Sequence, residues 1–233
     1  MKTSKLPKPM SLTLRVLARL LSYPDDALRE HLGELRQALR SDAALQAARA
    51  AEVEALIDSL AHQSAIDAEA DYVQLFDSGR RTSLHLFEHV HGDSRDRGPA
   101  MIDLAQTFEA AGLYLAEGEM PDHLPVLLEY ASTQPPSEAR AFLAEMAHIF
   151  NVIFSALDKR DSRYASVLGA LIELAGEKCA PVNVPDEVPV DESWAEPAAF
   201  DGCSSAGQAR QGQPQPIRIQ RQAHGPAVTG VHP

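Results

Sequence analysis

Between Leu14 and Ala175 the apolar residues recur at spacings of three and four, and no stretch sustains the period-two alternation of a half-buried strand. A chain patterned this way can bury its apolar stripes only by packing helix against helix. Leu14, Leu17, Ala18 and Leu21 open the series. After a break at Tyr23-Pro24-Asp25, Leu28, Leu32, Leu35 and Leu39 repeat one face, which predicts two helices in antiparallel contact. Val53, Leu56, Ile57 and Leu60 mark a third helix, and Tyr72, Val73 and Phe76 a fourth, stopped by Asp77-Ser78-Gly79. A short apolar segment, Leu84 to Val90, ends at Gly92. Pro99 then sits at a first helical position, and Met101, Leu104, Ala105, Phe108, Ala111 and Leu115 line one face as far as Gly118. Asp122 is placed to cap the next helix, through Leu124, Leu127, Leu128 and Ala131 up to Pro135-Pro136. Phe142, Met146, Ile149, Phe150, Ile153 and Leu157 make one further stripe, and Tyr164, Val167, Leu168, Leu171, Ile172 and Ala175 another, ended by Gly176. The expectation is an all-α fold: a single-domain helical bundle of about eight or nine helices over residues 10–180, long enough to bury a core without a metal or disulfide.

Composition changes after residue 180. The last 53 residues hold 8 Pro and 5 Gly with hardly any periodic apolar positions, so residues 181–233 are expected to form a disordered tail, either a solvated appendage or a segment that orders on a partner. Over the whole chain 33 acidic residues outweigh 21 basic ones, a net charge of −12, and no basic cluster interrupts the surplus, which argues against nucleic acid as a partner. Two cysteines, Cys179 and Cys203, are too few and too close to the C-terminal end to staple a secreted fold, so a reduced, cytoplasmic protein is expected. No uninterrupted apolar run reaches the roughly 20 residues that cross a bilayer, which predicts neither a membrane span nor export.

Three segments carry more polar residues than a core needs. His85-Leu86-Phe87-Glu88-His89 matches the H-x-x-E-H pattern of inverted zincins, in which two imidazoles one turn apart would hold a metal and the glutamate would act as base. The same five residues serve equally as a polar helix face or part of a binding groove. In His91-Gly92-Asp93-Ser94-Arg95-Asp96-Arg97-Gly98, alternating charges either cap and pair locally or present guanidinium forks to a ligand. Glu119-Met120-Pro121-Asp122-His123-Leu124-Pro125 is a rigid turn that fixes an acid and an imidazole at a helix entrance, for capping or for binding. No G-x-G-x-x-G or Walker pattern and no nucleophile at triad spacing is present.

Taken together, Leu20-Leu21-Ser22-Tyr23-Pro24, Tyr72-Val73-Gln74-Leu75-Phe76-Asp77, the eighteen residues from Arg81 to Gly98, and Met120 to Pro125 leading into Leu128-Glu129-Tyr130 are similar to the NarJ-type assembly chaperones of respiratory nitrate reductase. These belong to the wider family of all-helical chaperones for redox enzymes, and the resemblance runs from about residue 10 to 180. It implies a non-catalytic cytoplasmic chaperone that binds the immature catalytic (alpha) subunit, including its N-terminal segment. Such a chaperone holds the apoenzyme competent for insertion of the molybdopterin guanine dinucleotide cofactor and an iron–sulfur cluster, and delays membrane attachment. It would bind no cofactor permanently, insert into no membrane and leave the mature enzyme. Carried over residue by residue, client contact is expected at Gly92, Asp93, Arg95 and Arg97 of the first loop and at Pro121, Asp122, His123 and Pro125 of the turn, with Tyr72, Phe76 and His89 lining a groove. A metal-dependent hydrolase built on His85, Glu88 and His89 is the competing expectation.

Overall fold

The computed structural model describes residues 9–92, 94–180 and 182, all within the unit Met1–Glu187. They form ten helices and no strands: α1 Ser11–Leu20, α2 Asp26–Glu30, α3 Leu32–Asp42, α4 Ala47–His62, α5 Ala65–Phe76, α6 Leu86–Val90, α7 Arg97–Ala110, α8 Leu124–Thr133, α9 Pro136–Asp158 and α10 Ala165–Ala175. The expected tail, together with Cys203 and Asp93, lies outside the described residues, except for Val182.

The centre is α10, where every residue from Ala165 to Ile172 is buried. A helix that is apolar all round must be enclosed, and α9 and α4 flank it. Its end is set by Gly176, whose φ of +84° lets the Glu177 N–H turn back to the Ile172 carbonyl at 3.0 Å. The chain then stays on α9, because Asn151 Oδ1 accepts the Ala180 N–H at 2.8 Å and Ser155 Oγ accepts the Val182 N–H at 3.0 Å. α8 packs on α9 and α3 on α4, and α1 lies against both α8 and α3. Among the described residues only α9 is long and apolar enough to cross a membrane by length and composition. Its Leu143, Phe150, Ile153 and Leu157 are nevertheless fully buried in the core.

Two expectations are corrected here. The Leu28–Leu39 stripe is not one helix: it breaks at His31, which raises the helix count to ten. The His31 ring takes the Ala27 carbonyl (Nδ1 to O 2.7 Å), the acceptor its own N–H would use in a continuous α-helix, and that N–H moves to Leu28 O at 3.1 Å. Leu28, Leu32 and Leu39 remain buried, so the stripe survives the break.

The second correction concerns α7. Its face was expected to be a long core stripe reaching Gly118, but the helix stops at Ala110 and Phe108 is its one buried residue. Gly112, with φ of +79°, reverses the chain, and the Leu113 N–H bonds to Phe108 O at 2.9 Å while the Gly112 N–H bonds to Glu109 O at 2.9 Å. This double bond pattern folds Leu113 back beside Phe108 and puts Leu115 outside the helix. Ile102, halfway along α7, is 59% exposed.

Candidate functional site: a carboxylate-centred junction beside an open groove

The segment entering α6 and the segment entering α8 are zipped by two backbone hydrogen bonds, Leu124 N–H to Leu84 O at 2.8 Å and Leu86 N–H to Asp122 O at 3.0 Å. They meet at an antiparallel bridge between His85 and His123. The zipper buries the Asp122 side chain completely. Burial of a carboxylate demands partners, and three surround it. Phe87 donates its backbone N–H (3.2 Å), His85 donates from Nδ1 (3.2 Å), and a guanidinium nitrogen of Arg97, the first residue of α7, lies 3.6 Å away. Arg97 also reaches Glu88 at 3.8 Å.

This arrangement corrects the role read for Asp122 in the sequence. It does not cap α8, which begins after His123 with no side-chain cap and has Pro125 where a free N–H would otherwise need one. Its carboxylate instead takes an orphan amide in the first turn of α6, thirty-five residues away. One side chain therefore ties the starts of α6, α7 and α8 together.

The two imidazoles of the junction stack, with ring centroids 5.0 Å apart and planes at 27°. The hydrogen bond to Asp122 raises the His85 pKa above its ordinary value; burial opposes this, and the Asp122 and Glu88 charges assist. Burial lowers that of His123, and the neighbouring His85 adds to the effect. The surroundings therefore favour a proton on His85 over one on His123.

The helix-face argument for a metal site fails on geometry. His85 precedes α6 in an extended conformation (φ −86°, ψ 101°), so it does not share a helical face with His89. Its Nδ1 is engaged by Asp122, and His89 Nε2 donates to Ser83 O at 2.9 Å. Nor do Ser83, His85 and Asp122 line up as a nucleophile relay: the Ser83 hydroxyl accepts the His85 backbone N–H at 3.2 Å, and among the described residues no hydrogen bond joins it to the His85 ring.

The other expected site residues separate into groups. Asp122, His123 and Arg97 converge at the junction between the buried prolines Pro121 and Pro125, with His89 on the adjoining turn. Gly92 and Arg95 belong to the loop entering α7, where Arg95 is exposed. Tyr72 and Phe76 are not groove-lining. They are buried in an aromatic cluster with Tyr164, with Tyr72–Phe76 centroids 4.8 Å apart and the Tyr72 hydroxyl donating to Leu21 O at 2.7 Å.

Sequence reasoning missed the concave surface next to the junction. A cavity of about 460 Å³ opens among α1, α8 and the end of α7, its apolar wall made by Phe108, Leu113, Leu115, Val126 and Tyr130. Tyr130 anchors that wall by packing on Phe108 (4.8 Å) and Phe142 (5.2 Å), while Tyr114 at the mouth is 80% exposed. Charged residues rim it. Arg19 is already paired with Asp25 at 3.0 Å and Arg15 donates to Ser132 Oγ at 3.3 Å. Neither the Glu129 carboxylate nor the Arg15 guanidinium has an oppositely charged partner among the described residues, so the rim carries open charges of both signs. The only available signal was the run Phe108 to Leu115, which reads equally well as a core stripe.

Comparison with known proteins gives the family. A family described as the nitrate reductase delta subunit matches residues 22–168. The chain is 40% identical over 188 residues to the nitrate reductase molybdenum cofactor assembly chaperone NarJ of Escherichia coli strain K12, covering 81% of this chain and 80% of that protein. It is 36% identical over 179 residues to NarW of the same strain, named a probable nitrate reductase molybdenum cofactor assembly chaperone, covering 77% and 74%. A solved structure described as a candidate redox enzyme maturation protein from Archaeoglobus fulgidus superposes with a TM-score of 0.52 at 20% identity. It covers 76% of this chain and all of the other, a likeness of fold alone. With the family matched over most of the helical body and the identity extending on either side of the junction, the chain belongs to the nitrate reductase delta subunit family, among its NarJ-type members.

Proposed function

We propose that this protein is a system-specific assembly chaperone of a respiratory nitrate reductase. In this reading it binds the immature catalytic subunit through that subunit's N-terminal segment and keeps it competent for insertion of the molybdopterin guanine dinucleotide cofactor. It delays membrane attachment, acts in the cytoplasm without turnover, and is absent from the mature enzyme. The observation that carries the reading is the open groove between α1, α8 and the end of α7: an apolar floor rimmed by charges of both signs suits the apolar face of an amphipathic helix, with Glu119 and Glu129 placed to meet its lysines or arginines. Membership of a family whose relatives bear assembly-chaperone names supports the same client. The junction then has a positioning role, since Arg97 and His123 fix the starts of the two helices that flank the groove. The test is a calorimetric titration of the full chain with a synthetic peptide of the catalytic subunit's N-terminal segment at two salt concentrations. Saturable binding that weakens with salt, and is lost in Leu115→Asp, supports the reading; full binding by Leu115→Asp removes the groove from it.

A further inference from the structure

Helix α5 is apolar on two opposite sides. Ala68, Tyr72, Leu75 and Phe76 face the core, as the fold requires. Ile66, Ala70 and Val73, at i, i+4 and i+7, form a second stripe on the other side that nothing in the described fold covers: Ile66 is 74% and Val73 41% exposed. The Tyr23 ring stands beside this stripe, its edge against Tyr72 with centroids 5.6 Å apart, and is itself 44% exposed. Between them lies a shallow concavity of about 440 Å³ bounded by Tyr23, Ile66, Glu69, Ala70, Val73 and Gln74.

The charges around this face are of one sign. The helix carries Asp67, Glu69 and Asp71 and no lysine or arginine. Asp67 is occupied by Ser64 and Asp71 by Gln63. Glu69, hydrogen-bonded to the Tyr23 hydroxyl, edges the stripe and Asp77 closes its C-terminal end, and neither pairs with a cation among the described residues. Contact between two copies of this face would bring four such carboxylates together, which disfavours self-association. An apolar stripe two turns long with acids along its margin is complementary to an amphipathic helix that presents leucine-like residues flanked by lysine or arginine.

We infer that the outer face of α5, with Tyr23, is a second docking surface, occupied by a basic amphipathic helix of the client's body rather than by its N-terminal segment. This rests on the chaperone reading above. Two contacts on one client multiply through effective concentration, so a modest second surface produces a much tighter complex with the whole subunit than with a peptide.

The test compares two ligands, the N-terminal peptide and the whole apo catalytic subunit, using the full chain. The variant pair Ile66→Ser and Val73→Ser removes the stripe without adding charge; Glu69→Lys reverses the edge and touches no core contact. The double variant is expected to bind the peptide as the wild type does and the apo subunit at least about tenfold more weakly, the effect of losing two apolar side chains each partly buried at the contact. Glu69→Lys is expected to weaken the apo-subunit complex at low salt and to approach the wild type at high salt. Wild-type affinity of the double variant for the apo subunit overturns the inference. Equal losses for peptide and subunit overturn it too, since the face would then be no separate surface. Failure of the wild type to bind either ligand rejects the chaperone reading itself and takes this inference with it.

Discussion

Replacing Asp122 by alanine tests the junction most directly. The carboxylate is fully buried, and its removal has two costs that the geometry separates. The Phe87 N–H loses its acceptor, the equivalent of deleting a helix cap, about 1 kcal/mol. The charge-assisted bond to His85 is also lost; with about a third of that ring exposed, the lower end of the usual range applies, about 1.5 kcal/mol. Arg97, beyond hydrogen-bond distance and partly exposed, adds well under 1 kcal/mol. The sum is about 3 kcal/mol, and at a urea dependence of about 2 kcal/mol per molar the unfolding midpoint should fall by about 1.5 M. Asp122→Asn keeps an acceptor for Phe87 and should lose about half as much. The deficit must also depend on pH. His85, with its pKa raised in the fold, contributes stability that is fully present below its unfolded value near 6.5 and is lost as pH rises through the folded value. Asp122→Ala should therefore differ from the wild type more at pH 6 than at pH 9. A loss of under about 0.5 kcal/mol, equal at both pH values, would refute the capping and pairing assigned to this carboxylate.

Two further substitutions probe other parts of the argument. His123, with its pKa lowered by burial, contributes stability that is present above 6.5 and lost as pH falls through its folded value. His123→Gln should accordingly flatten the acid side of the wild-type stability profile between pH 7 and 5, as followed by thermal melting. Gly176→Ala places a side chain at φ +84°, where the Cβ also approaches the Arg140 guanidinium to 2.9 Å. Because that guanidinium can swing aside, the cost should be that of the backbone alone, about 1–2 kcal/mol, seen as a drop in melting temperature with no change in peptide affinity.

The stripes Leu14–Leu21, Val53–Leu60, Phe142–Leu157 and Tyr164–Ala175 were legible because each is fixed by its own periodicity, and α1, α4, α9 and α10 follow them closely. What escaped is every feature in which a local signal is completed from a distance. Asp42 accepts the Thr13 N–H at 2.8 Å and so caps α1 from the end of α3, just as Asp122 caps α6. Either aspartate, read in sequence, points only to its own neighbours. His31 breaks a stripe through a ring bond to a carbonyl four residues back, which leaves no trace in hydrophobic spacing. At the candidate site the turn Pro121–Pro125 and Arg97 were identified from their residues, and they do converge. Tyr72 and Phe76 were misplaced because an aromatic on a helix looks the same whether its face meets the core or a ligand. Phe108 and Leu115 had the opposite fate, since periodicity cannot distinguish a stripe that meets a core from one that walls a groove.

The single buried side chain of α7 sets how firmly the groove is closed. Lifting that helix exposes Phe108, about 1.5–3 kcal/mol by itself, together with the half-buried Met101, Leu104 and Ala105, and parts Arg97 from Asp122, whereas unfolding a domain costs at least about 5. The Phe108 contribution alone keeps the helix detached for less than about one part in ten of the time, and the other contacts lower that share further. The cavity of about 460 Å³ is thus the volume of the groove at rest. Its width during capture is set by a thermal equilibrium, so side chains bulkier than the resting groove enter by displacing Phe108 from its place beside Tyr130.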